Sequence, residues 1–172
     1  MKLHALLLLL PITAGLANTV QAATTGILTF RGQINAGTCD LSAGDVSRTI
    51  TLPPVKVSDF ASSQTPGTIQ FNLTADCESD IKNVYFLFTG TPSTGNAALF
   101  ANTGTSAGTA LAFAHHGYAW IPANGTPAQR TRQIATTGGK AVIGMSASYS
   151  ATGAAITKGT LISTMTVSIT YN

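Results

Sequence analysis

Residues 160–172 read Thr-Leu-Ile-Ser-Thr-Met-Thr-Val-Ser-Ile-Thr-Tyr-Asn, and few folds accommodate such a stretch. Leu161, Met165, Val167, Ile169 and Tyr171 share one parity, with Ser163 the polar exception on that face. Ile162, Thr164, Thr166, Ser168 and Thr170 occupy the other, which is largely hydroxylic. Successive side chains of a strand point to opposite faces, so the spacing predicts a strand with one apolar face. Its β-branched residues suit a pleated surface. Such a strand needs a neighbour on each side. Where the fold supplies only one, another chain can supply the second.

The other end of the chain sets the expected compartment. Met1-Lys2 is a short basic start, Leu3 to Pro11 is dominated by leucine, and Val20-Gln21-Ala22 has the small residues of a cleavage site. This is the pattern of a secretory signal over residues 1–22, too short and wrongly flanked for a spanning helix. Cleavage after Ala22 is expected, with Ala23 the neighbouring choice. No later segment is long and apolar enough to span a membrane.

About 150 residues then remain, enough for one domain with a real core. Charged residues are scarce, at 9% of the chain. This suits sheets with hydroxyl-rich outer faces and excludes a disordered chain, which needs low hydrophobicity and high charge. Without Lys2, eight Lys and Arg face six Asp and Glu, and they are scattered. No basic stripe of the kind nucleic acid requires is present.

Cys39 and Cys77 are the two cysteines. An even pair in an exported chain reads as a disulfide, and the spacing fits no zinc motif. Closing a loop of this size stabilises a fold by about 4 kcal/mol on the chain-entropy model.

Between these landmarks the chain reads as strands and turns. Ile69, Phe71, Leu73, Ala75 and Cys77 share a parity, which points Cys77 into the core. Ile34 and Cys39 have opposite parity, so if both face inward the first strand must bulge, with Gly37 the natural place. Residues 84–88 are apolar on both parities and cannot be phased. Residues 140–150 place Ala141, Ile143, Met145, Ala147 and Tyr149 on one face. Shorter candidate strands are 48–52, 97–101, 109–115 and 131–136. Turn chemistry falls at 91–95, Asn124-Gly125 and Gly138-Gly139. No helical periodicity of useful length appears. Many short strands with such turns predict an all-β antiparallel sandwich.

Residues 24–34 form a further candidate strand. Gly26, Leu28, Phe30 and Gly32 share one parity, whereas Ile27, Thr29 and Arg31 share the other. Only the first set is comfortably buried, because an unpaired buried arginine is costly. The two ends of the chain therefore read as a plug and a socket.

The run from Gly26 through Leu28, Phe30 and Ile34 to Cys39, the second cysteine Cys77, the Ser-Tyr-Ser-Ala-Thr-Gly run at 148–153, and Gly159 leading to penultimate Tyr171 resemble the fimbrial pilin subunits of the chaperone–usher type. The resemblance spans essentially all of the chain after the signal. It implies an incomplete immunoglobulin-like β-sandwich, completed by a donor strand from a neighbouring subunit or a chaperone. It implies a signal peptide at 1–22, a donor-strand extension at 23–33 and a pilin domain at 34–172. By position, Gly26, Leu28 and Phe30 are the donor-strand residues. Gly159, Leu161, Met165, Val167, Ile169 and Tyr171 form the groove strand. The implied partners are a periplasmic pilus chaperone, an outer-membrane usher and adjacent pilin subunits, and the implied location is a surface fimbrium that contributes to cell adhesion. Main-chain hydrogen bonds give such strand addition its affinity, and alternate side chains entering pockets give its specificity. A two-domain adhesin would need an additional lectin domain, so a shaft or adaptor subunit is the reading.

Rival readings rest on few residues. No catalytic constellation, cofactor site or metal site is expected, and the chain does not read as an enzyme. Residues 144–148 lack the second glycine of a nucleophile elbow. Asp76, Glu78 and Asp80 read as a solvated turn. His115 and His116 read as surface or edge-strand residues. Trp120 with Tyr118, Phe113 and His116 is the one candidate sugar platform. It motivates the alternative of a single-domain carbohydrate-binding adhesin that contacts a host glycan.

Overall fold

The computed structural model describes residues 25–116 and 119–172. The expected signal and its cleavage site lie outside the described residues, as does Tyr118. The chain divides into two units between Ile34 and Asn35.

In the first unit, residues 25–34 form no strand. Ile27 and Leu28, of opposite parity, are 95% and 82% exposed. The alternation read from the sequence is therefore not expressed as burial. A strand exists only as a paired ladder, and alternation states what a segment would bury once paired.

The second unit holds seven strands among the described residues: β1 (Cys39–Leu41), β2 (Ile69–Cys77), β3 (Asn83–Gly90), β4 (Thr109–His115), β5 (Thr131–Ala135), β6 (Lys140–Ala151) and β7 (Met165–Tyr171). One sheet has the order β1-β2-β6-β4 and the other β5-β3-β7. All pairings are antiparallel. Single helical turns occur at α1 (Ala43–Val46), α2 (Asp59–Ser62) and α3 (Pro127–Arg130), the last closed by a capping box between Thr126 and Gln129.

The core lies between the sheets. Ala141, Ile143 and Met145 of β6 are completely buried, as the alternation of that segment predicts. Against them stand Leu73 and Ala75 of β2, Leu111 and Phe113 of β4, and Val84, Phe86 and Phe88 of β3. The structure thus supplies the phase of β3: its even residues enter the core. Tyr85 and Leu87 are half-buried on the opposite face, which is why the sequence shows no alternation there. Phe113 meets Phe88 edge-on at 5.2 Å and Phe100 at 6.1 Å.

Three local expectations need correction. Residues 48–52 form no strand, and Arg48 meets the edge of β2 through its side chain instead, donating to the Asn72 carbonyl. Residues 97–101 form a turn that ends in Phe100, a single bridging residue between Pro92 and Leu111. Ile34 does not face inward but is fully exposed, so β1 needs no bulge. Gly37 serves another purpose. Its N–H donates to Asp80 Oδ2 at 2.8 Å, and a Cβ there would strike the Asp80 and Glu78 side chains.

Cys39 and Cys77 sit directly opposite each other in the β1–β2 ladder and form a disulfide. It ties the short edge strand to the end of a core strand. Gly138 and Gly139, both with positive φ, make the turn from β5 to β6, where any other residue would be strained.

Candidate functional site: an open sheet edge and its groove

β7 has one ladder neighbour among the described residues, β3. Asn172 and Asn83 exchange both backbone hydrogen bonds, at 3.2 and 3.4 Å. Antiparallel bonding alternates residue by residue, so the even residues of β7 bond to β3. The odd residues, Met165, Val167, Ile169 and Tyr171, direct their N–H and C=O groups to the opposite side. Among the described residues, that side is an open edge.

The same odd residues carry the apolar face. Leu161, Met165, Val167 and Ile169 are only half-buried, although they pack against the core. Ser163, the polar exception, is half-buried in the same row. Across from them Leu41, Leu52, Ile69 and Phe71 are likewise packed on the core and likewise incompletely covered. The two sheets therefore leave an apolar groove along β7. At its Leu161 end it deepens into a cavity of about 490 Å³, lined by Leu52, Val55 and Phe60 on one side and Ile156, Gly159 and Leu161 on the other. Gly159 must lack a side chain, because a Cβ there would lie 2.5 Å from the Ser106 backbone nitrogen. An edge with free backbone groups and a half-covered apolar floor is a template for one more strand.

Gly159 and Leu161 line the cavity, and Leu161, Met165, Val167 and Ile169 pack along the core in one row. Tyr171 lies at the far end and is 39% exposed. Leu28 and Phe30 are exposed, and Gly26 has open space where a Cβ would stand. Leu52, Val55 and Phe60 were not anticipated. Leu52 ends the candidate strand 48–52, whereas Val55 and Phe60 follow Pro53-Pro54 on a stretch with no regular periodicity.

Of the candidate sugar platform, the described residues Phe113 and Trp120 do not share a surface. Phe113 is 5% exposed and belongs to the core. Trp120 is 53% exposed and bridges Ala114 by its backbone, while Arg132 Nη2 holds the Ala119 and Trp120 carbonyls at 3.3 and 3.1 Å. Beside Trp120 is a depression of about 200 Å³ lined mainly by Thr, Ser and Ala. Burial, Arg132 and His116 together push the His115 imidazole below its ordinary pKa, with burial the largest cause. Asp76 joins Lys140 and Ser42, and Asp80 takes the Gly37 N–H. Among the described residues no group of His, Cys, Asp and Glu is arranged to hold a metal ion, and no helix is long and apolar enough to cross a membrane.

Known proteins resemble this chain in sequence and in fold. Over 89 residues the chain is 32% identical to the fimbrial subunit ElfA of Escherichia coli K12, covering 49% of this chain and 50% of that protein. It is 30% identical to the type 1 fimbrin D-mannose specific adhesin of the same strain, over 80% of this chain and 41% of the adhesin. The chain thus spans about half the length of the curated relatives it matches. The fold is similar to that of the P pilus rod subunit PapA, with a TM-score of 0.63 at 19% identity over 78% of this chain and 99% of that one. The fold is that of an incomplete immunoglobulin-like pilin sandwich. The fimbrial protein family model matches residues 28–172, so the chain, with its open β7 edge and disulfide-tied β1, belongs to the fimbrial protein family.

Proposed function

We propose that this chain is a structural subunit of a surface fimbria, polymerised by strand donation. The supporting observation is the half-covered row Leu161, Met165, Val167 and Ile169 beneath a free backbone edge. A strand laid along that edge would satisfy the odd N–H and C=O groups of β7 and cover the apolar floor in one step. The donor is the segment of another copy, or of a related subunit, that carries Gly26, Leu28 and Phe30. The exposure of both apolar side chains fits a segment awaiting a partner. Before assembly, an exposed edge of this kind invites aggregation. A periplasmic chaperone that lends a strand meets that need, and passage through an outer-membrane usher delivers the subunit to the cell surface, where the fibre contributes to adhesion. The role is structural and not catalytic.

The experiment joins residues 24–34 through a flexible linker after Asn172. The fusion is expected to be a monomer with a cooperative melt, whereas the unmodified chain, expressed without a chaperone, aggregates or forms ladders. A cooperative, high-melting monomer of the unmodified chain would overturn the proposal.

A further inference from the structure

The Leu161–Ser163 stretch precedes β7, yet it is held in line with it. Thr160 N–H donates to Thr105 Oγ1 at 3.0 Å, and Ser106 N–H donates to the Thr160 carbonyl at 3.0 Å. Ile162 N–H donates to Asn102 Oδ1 at 2.9 Å, and Thr103 N–H donates to the Ile162 carbonyl at 2.8 Å. The even residues 160 and 162 are therefore bonded to the 102–106 loop, just as the even residues of β7 are bonded to β3. The loop acts as a substitute for the strand partner that β3 no longer provides beyond Gly90, which is paired with Met165.

Asn102 is the centre of this arrangement. Its Oδ1 also accepts Gly104 N–H at 2.7 Å, and its Nδ2 donates to the Ser106 carbonyl at 2.9 Å and to Thr109 Oγ1 at 3.2 Å. One side chain thus fixes the turn of the loop and engages the strand it supports. An asparagine suits this because it offers an acceptor and a two-hydrogen donor on a short stem.

We infer that Asn102 is a positioning residue that extends the open edge of β7 back to Leu161, so that an incoming strand is hydrogen-bonded all the way to the 490 Å³ cavity. By alternation from the bonded residues 160 and 162, Leu161 and Ser163 direct their backbone groups to the open side, continuous with Met165, Val167 and Ile169. The edge offered to a donor therefore spans residues 161–171 rather than the seven residues of β7 alone. Without Asn102, Ile162 loses its N–H acceptor and the 102–106 turn loses its internal brace. The remaining bonds from Thr103, Thr105 and Ser106 then hold the stretch before Met165 less firmly, and the ladder weakens short of the cavity. This inference rests on the strand-donation reading.

The test is amide hydrogen exchange on the full chain carrying Leu28→Asp, which keeps copies from donating to one another, with and without a synthetic peptide of the parent residues 24–34. The Asn102 variants are made in this background, and the unsubstituted chain is the one that keeps Asn102. In the unsubstituted chain the peptide is expected to slow exchange at Leu161 and Ser163 as well as at Met165, Val167, Ile169 and Tyr171. In Asn102→Ala, protection at the four β7 residues persists, while that at Leu161 and Ser163 falls at least about tenfold, equivalent to about 1.4 kcal/mol. Asn102→Asp keeps the acceptor for Ile162 but sets a carboxylate oxygen against the Ser106 carbonyl. Its protection at Leu161 and Ser163 is therefore expected to lie between that of the parent and that of Asn102→Ala, while persisting protection at the four β7 residues guards against a loss of fold. Absence of peptide protection anywhere on β7 of the unsubstituted chain would refute strand donation itself. Protection on β7 that never includes Leu161 and Ser163, or that includes them equally in Asn102→Ala, would refute the role of Asn102 alone.

Discussion

The Asp45 carboxylate and the Arg48 guanidinium lie 3.0 Å apart and together occupy the edge of β2 that β1 abandons at Leu41. Ser42 N–H still reaches the Thr74 carbonyl at 2.9 Å. From there side chains replace backbone: Thr74 N–H donates to Asp45 Oδ2 at 2.8 Å, and Arg48 Nη1 donates to the Asn72 carbonyl at 2.7 Å. Arg48 also lies over the Phe71 ring, 5.5 Å from its centroid. Two side chains thus close part of an edge that would otherwise invite pairing with the wrong strand.

Asp45→Ala is therefore expected to destabilise the fold by about 1–3 kcal/mol, the cost of leaving the part-buried Thr74 N–H without its acceptor. Asp45→Asn keeps an acceptor oxygen and should lose less. Urea denaturation of the two variants decides this. An unchanged midpoint for Asp45→Ala would show that water or a neighbour takes over the donor.

The disulfide acts on the same edge. β1 is three residues long and cannot hold itself on β2 by ladder bonds alone. Cys39→Ser should therefore cost about 2–4 kcal/mol, and Cys77→Ser a similar amount, because either change frees the loop in the unfolded chain. Denaturation with and without reductant measures it: reductant should lower the midpoint of the parent and leave that of either variant unchanged. Two free thiols in the exported protein, seen by mass spectrometry, would contradict the pairing.

What the sequence revealed follows from where periodicity survives. β6 and β7 each have one face on the core and one polar face, so alternation shows them plainly. β3 carries half-buried apolar residues on its outer face, which hides its phase. Residues 48–52 read as a strand from Ile50 and Leu52 set among threonines. Strand formation depends on a partner, and a partner is a property of the topology rather than of the segment. The groove row was legible because it lies on one strand. The far wall was not, since Leu52, Val55 and Phe60 come from an irregular stretch, and Asn102 gives no signal because its role depends on a loop that folds back sixty residues away from Ile162. Phe113 and Trp120 are close in sequence but do not share a face, since Phe113 is buried and Trp120 is exposed. Trp120 bridges Ala114, and successive residues of a strand point to opposite faces, which leaves Phe113 on the core side of β4.

Histidine gives a pH dependence of definite sign. Burial, with Arg132 and His116 nearby, holds His115 below its ordinary pKa of 6.5 in the folded state. The unfolded chain therefore takes up its proton first as pH falls. The stability that His115 allows is complete above about pH 6.5 and declines as pH drops from there towards the folded-state value. His115→Gln should flatten that part of the profile and leave stability at about pH 8 nearly unchanged. Thermal melts across the range test this, and a profile equally steep in the variant would assign the slope to other groups.

The phase of the donor segment gives the sharpest test of assembly. Leu28 and Phe30 should enter the groove, while Ile27 and Thr29 should face away, although Ile27, Leu28 and Phe30 are all exposed in the single chain. A carboxylate in an apolar pocket loses hydration and gains no partner, which costs several kcal/mol. At an outward position it stays in water and costs little. Leu28→Asp or Phe30→Asp should thus abolish incorporation into fibres, while the subunit's own groove still accepts a synthetic donor peptide. Ile27→Asp and Thr29→Asp should assemble nearly as the parent does. A slip of one residue exchanges the two faces completely, so the four variants read out register as well as role. Sensitivity at positions 27 and 29 instead would place the opposite face in the groove. Indifference at all four would mean that another segment is the donor.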